Sequence, residues 1–190
     1  MLARLRAYIA HPDPLTAVAN LLALILASNQ PFYPLYFYAA IGDSAWPAWV
    51  ALISAPCFAA VPAIARLNSG AGRASLVVIG VFNTAVVTWA MGALSATQTF
   101  FFPCLFLAVM LFRPSERVWS ALLLALTAVI YFILSGAAVQ AFVTFSADQY
   151  RAIASINTMS AATLSAFAAY LISQQLASNS QPDDLDGSSQ

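Results

Sequence analysis

One histidine, two cysteines, seven arginines and seven acidic residues are the groups here with obvious reactivity, and their spacing assembles none of the usual sites. His11 has no second His or Cys nearby, so the ligand pairing of a metal site is missing, and it reads as a solvated loop histidine. Cys57 and Cys104 sit in apolar runs, where a thiol behaves as a small hydrophobe, so neither a disulfide framework nor a metal centre is expected. No serine has a histidine base in a neighbouring apolar segment, and no glycine-rich phosphate loop occurs. Every Asp, Glu and Arg falls in a turn or at the end of an apolar stretch, away from the depth at which proton relays and ion-coupling sites are built. The expectation is a chain with no enzyme activity and no cofactor, and an ion-coupled pump is disfavoured.

Two constellations remain. The first is the proline-broken aromatic cluster from Asn29 to Tyr38. Pro31 and Pro34 remove backbone donors, which Asn29, Gln30 or water can offset, so the kink is a natural place for a cavity. Asn29, Gln30, Phe32, Tyr33 and Tyr36 are the candidate ligand-binding residues, with Tyr38 also in the cluster; the plain alternative is interfacial anchoring plus a packing kink. The second is a run in which Asn157, Ala161, Ser165, Ala169 and Ser173 recur every four residues, which reads as a close helix contact within the bundle or as a homodimer seam. Asn20 and Asn83 add polar groups at mid-depth that need partners in neighbouring helices.

The elements that must position these residues are membrane spans. Of 190 residues, 62% are hydrophobic and 7% charged, far from the roughly 25% charge of a soluble domain. There is no lysine and the arginines are scattered, so no basic footprint for nucleic acid exists. Stretches of roughly 20 apolar residues occur at 15–41, 45–65, 74–94, 118–138 and 152–173, with a shorter one at 98–112. They are separated by turn signals at Gly42-Asp43-Ser44, Asn68 to Gly72, Ser95-Ala96-Thr97 and Arg113 to Glu116. The first stretch reads as one long helix kinked at its prolines rather than as two spans.

The expected fold class is therefore all-α: a polytopic integral membrane protein with a six-transmembrane-helix bundle over residues 15–176. Residues 1–14 form a cytoplasmic segment able to make a short interfacial helix, a preferred reading over a signal peptide. Residues 177–190 form a disordered acidic tail. Arg4, Arg6, Arg66, Arg73, Arg113 and Arg117 fall on one side of a six-span layout and Arg151 on the other, so both termini are placed in the cytoplasm of a bacterial inner membrane. Trp46 and Trp49 fit an aromatic anchor at the outer interface.

Particular motifs sharpen this picture. Gln98-Thr99-Phe100-Phe101-Phe102-Pro103, followed by Leu107-Ala108, Leu111-Phe112 and the turn Arg113 to Arg117, resembles the fourth helix of a known group of membrane sensor regions. That group is the six-helix region at the N-terminus of bacterial class III adenylate cyclases, some diguanylate cyclases and some quorum-sensing-type histidine kinases. Asn20, Tyr33, Tyr36, Gly42, Asn83-Thr84 and Asn157 add to the likeness, which covers Leu15 to Gln175. The resemblance implies a bundle that perceives an apolar or lipid-like ligand, or a membrane state, and biases its last helix toward a cytoplasmic output. Because the sequence ends in a short acidic tail, the output is expected on a partner, a cyclase or kinase. Two other readings stand beside it. A small permease would need Asn20, Asn83, Thr88 and Asn157 to converge on one path, and an assembly subunit would need only stable partners.

Overall fold

Backbone in an apolar setting must satisfy its own N–H and C=O groups, and the chain does so as helix. The computed structural model describes residues 2–136 and 139–179 and is all-α over them. The helices are α1 (Leu2–Ile9), α2 (Pro14–Asn29), α3 (Phe32–Ile41), α4 (Ala55–Leu67), α5 (Ser69–Met91), α6 (Phe101–Met110), α7 (Arg117–Gly136) and α8 (Ala147–Asn179). Segments of 3-10 helix lie at Gly42–Ser54, Ala93–Ser95, Thr97–Phe100 and Pro114–Glu116. The expected end of the fifth span at Ala138 and most of the expected tail lie outside the described residues.

Four stretches are long and apolar enough to cross a bilayer: Phe32–Leu67, Ser69–Met91, Pro114–Gly136 and Ala147–Gln175. Pro14–Asn29 and Thr97–Met110 are apolar but shorter. The difference from six expected spans has local causes. The first stretch is interrupted at Gln30 and Pro31, and the fourth is a 3-10 turn joined to a ten-residue helix. Gln30 and Pro31 both keep right-handed helical dihedrals, so α2 bends into α3 without reversing. Pro34 leaves the Gln30 carbonyl free, and the Tyr33 N–H takes it at 3.3 Å; the expected help from the Asn29 and Gln30 side chains is not used.

Phe32–Leu67 is not one straight rod. Gly42, with φ +68°, reverses the chain in a conformation that glycine adopts freely. α3 then packs along the 3-10 segment and α2 along α4, an antiparallel hairpin. A regular α-helix was expected from Ala45, yet Gly42–Ser54 winds as 3-10 helix. The sequence carries the reason: in a helix of three residues per turn, positions three apart eclipse. Ala45, Ala48, Ala51 and Ser54 therefore stack as one buried ridge, while Trp46 and Trp49 stay about half exposed.

The turn expected at Asn68 to Gly72 contracts to Asn68, whose Oδ1 accepts from the Ala71 N–H at 2.9 Å and caps α5. Gly72 then sits where α5 crosses α4. A Cβ there would lie 2.5 Å from the Ala65 Cβ, so Gly72→Ala is expected to destabilise the chain by about 1–3 kcal/mol. Thermal unfolding in detergent checks this, with Gly136→Ala as the control because nothing lies within 4 Å of its added Cβ; equal melting temperatures would show that the close crossing is not needed.

The arginine-bearing turns meet at one end of the bundle. Arg73, expected at a span boundary, lies inside α5 and is only 1% exposed. Its Nη1 donates to the Leu111 carbonyl at 2.8 Å and to Glu116 Oε2 at 3.0 Å, its Nε lies 3.8 Å from Asp13 Oδ2, and its guanidinium sits over the Phe112 ring. Asp13 caps α2 and also pairs with Arg113. His11 is half-buried rather than solvated: Nδ1 accepts from the Asp13 N–H at 3.0 Å and Nε2 lies 3.4 Å from Ser69 Oγ. α1 docks beside them, with Arg66 donating to the Ala7 and Tyr8 carbonyls, a cation placed at a helix C-terminus.

Candidate functional site

The bend between α2 and α3 leaves a gap between these helices, α5, α6 and α8. The gap is a cavity of about 640 Å³, and Asn29, Gln30, Phe32, Tyr33 and Tyr36 all line it. Phe58, Asn83, Thr84, Thr97, Cys104, Leu107 and Phe167 complete much of the wall. The exposed lining residues belong to α2, α3 and α8: Ser28, Asn29, Phe32, Tyr36, Met159, Thr163 and Phe167. The cavity therefore opens sideways between the kinked helix and α8. No charged side chain lines it.

One bond closes the mouth toward the end opposite the arginines. The Tyr33 hydroxyl donates to Asn157 Oδ1 at 2.9 Å. Asn157 is fully buried, and its Nδ2 donates to the Ser95 carbonyl at 2.8 Å and to Thr97 Oγ1 at 3.1 Å. The Ser95 and Thr97 hydroxyls are in turn 2.7 Å apart. A cavity wall on α3, the connection between α5 and α6, and α8 are thus tied through a single amide.

Asn157 and Ala161 face the bundle, Ser165 is half-buried and spends its hydroxyl on the Ala161 carbonyl, and Ala169 is exposed. The expected four-residue stripe does not hold one face because each step of four residues advances about 40° around a helix of 3.6 residues per turn. The buried face of α8 instead runs through Ile153, Asn157, Ala161, Ala168 and Ile172. Asn20 lies apart from the cavity: its Nδ2 donates to the Ile9 carbonyl at 3.1 Å and helps to seat α1.

Sequence reading treated Ser95 and Thr97 as turn residues only. Their role was signalled weakly, by two hydroxyls flanking Ala96, which adopts φ +56° and so presents both toward one neighbour. The electrostatic cluster of Asp13, Arg73, Arg113 and Glu116 was missed as a unit, since its members come from three separate parts of the chain, the cap of α2, the first turns of α5 and the α6–α7 turn.

Apolar helices of spanning length, joined by short turns around a cavity, define an integral membrane helical bundle. The chain belongs to MASE7, a family of membrane-associated sensor domains, whose family model matches residues 8–178. No curated protein and no solved structure matches it.

Proposed function

We propose that the chain is a non-enzymatic sensor module of the bacterial inner membrane. It binds an apolar or lipid-like signal in the cavity at the α2–α3 bend and relays occupancy through α8 to a cytoplasmic partner, a cyclase or kinase. The observation that carries this reading is that all five kink residues line one sideways-open cavity, one wall of which is the helix that leaves the bundle. Two arrangements of such a bundle with different affinity for the occupant are enough to turn binding into output.

Six crossings, with both termini in the cytoplasm, belong to the same reading. The hairpin at Gly42 supplies two arms, and the clustering of Arg66, Arg73 and Arg113 at one end fits the excess of positive charge in cytoplasmic loops. Residues 1–14 then form the N-terminal segment, 15–176 the membrane domain and 177–190 the tail. The exposed Ala162, Ala166 and Ala169 face of α8 leaves room for a homodimer seam. The permease reading loses its support, because of its four polar residues only Asn83 lines the cavity.

Tyr33→Ala and Tyr36→Ala are each expected to abolish the response of a co-expressed cyclase or kinase reporter while membrane insertion stays normal. Unchanged responses in both variants would dispose of the binding site. Reporter fusions at Asn68 and Ser115 test the layout; placing them outside the cell would reverse it.

A further inference from the structure

We infer that the cavity takes an uncharged single-chain amphiphile from the bilayer, its hydrogen-bonding head held by Gln30, Asn83 and Thr84 and its chain laid against Phe58, Leu107 and Phe167. This rests on the cavity being the sensing site and adds the chemical class of its occupant.

The head is assigned by polar groups left over after folding. Gln30 and Thr84 are 7% and 3% exposed, both line the cavity, and among the described residues neither side chain makes a hydrogen bond. Asn83, one residue away on α5, also lines the cavity, and its side chain makes no hydrogen bond among the described residues. Buried amides and hydroxyls normally have partners. Here residues carrying two amides and a hydroxyl line one space, offering both donors and acceptors. An alcohol, amide or ester head satisfies them.

Charge is excluded by the same wall. With no ionisable Asp, Glu, Arg or His on the lining, a carboxylate or ammonium head would enter without a counter-charge, which is strongly unfavourable in an apolar surrounding. Size and access fix the rest. A volume of about 640 Å³ matches a pocket for one small ligand, about 300–1,000 Å³, and suits one chain better than a whole phospholipid. The mouth between α3 and α8 opens to the lipid rather than to water, so the occupant arrives by lateral diffusion.

The test uses the full chain in phosphatidylcholine nanodiscs and four photoreactive probes carrying a diazirine at mid-chain: dodecan-1-ol, dodecanoate, dodecyltrimethylammonium and plain dodecane. Crosslinked peptides are mapped by mass spectrometry. Dodecan-1-ol is expected to label the Leu107 and Phe167 peptides about tenfold more efficiently than either charged probe. Gln30→Leu should lower dodecan-1-ol labelling about tenfold, the effect of losing one well-made polar contact, and leave dodecane labelling unchanged. If Gln30→Leu also loses dodecane, Thr84→Val decides, since it removes only a hydroxyl, and the same selective loss is expected. Equal labelling by neutral and charged probes would overturn the head assignment while leaving the cavity as the sensing site. Labelling of neither peptide by any probe would overturn both.

Discussion

Arg73→Ala should destabilise the chain by about 3–5 kcal/mol, the usual result of removing one partner from a buried ion pair. Arg73 joins the start of α5, the α6–α7 turn and the cap of α2, and its loss leaves Glu116 and Asp13 with Arg113 as their remaining cation. The pH dependence follows from the same contacts. Burial alone would raise the Glu116 carboxyl, but hydrogen bonds from Arg73 and the Arg113 N–H, with the charges of both arginines, outweigh it and hold it below its ordinary value. Asp13 behaves alike: burial is outweighed by hydrogen bonds from Thr16 and Arg113 and by the charges of Arg73 and Arg113. Both carboxylates ionise more readily folded than unfolded. Their stabilisation is complete above the unfolded values, about pH 4, and is lost as pH falls below that through the folded values. Melting temperature in detergent should therefore drop on acidification below about pH 4, and the drop should be shallower in Asp13→Asn with Glu116→Gln. Parallel pH profiles would show that the cluster contributes nothing.

The second large effect is expected at Asn157. Asn157→Leu keeps the branched shape and removes an amide that satisfies Tyr33, Ser95 and Thr97 together. Each group left unpaired in the interior costs about 1–3 kcal/mol, so the variant should unfold several degrees below wild type and, if it inserts, fail to transmit. Tyr33→Phe removes one member of the set and should do less. The two changes share a bond, so in a double-mutant cycle they should couple by about 0.5–3 kcal/mol. Additive melting shifts would mean that the bond between α3 and α8 carries no energy, and the relay through it would fall.

Much of the architecture was written in the hydropathy pattern, because a chain with so little charge has few ways to bury its backbone. The kink cluster was legible for the same kind of reason: Pro31 and Pro34 announce missing donors wherever they fall, and the residues between and beside them do line one cavity. Three things were hidden. The buried 3-10 ridge needs the eye to count in threes at Ala45, Ala48, Ala51 and Ser54, whereas helix reading counts in threes and fours. The partners of Asn157 lie 62 and 60 residues away at Ser95 and Thr97, and no local pattern pairs an amide with a distant turn. Arg73 looked like an interfacial charge because arginine usually is one. Only the fold shows that Glu116 and Asp13 come to meet it inside.

The length of α8 has a mechanical corollary. At 33 residues and 1.5 Å per residue it measures about 50 Å, well beyond the roughly 30 Å of a hydrocarbon core. In the proposed relay α8 pivots at Asn157, about a third of the way along it, and the stretch to Asn179 is then an arm of about 33 Å. Each degree of tilt there sweeps the tip by about half an ångström, so a swing of a few degrees at the cavity delivers the displacement of a whole bond length or more to whatever grips the far end.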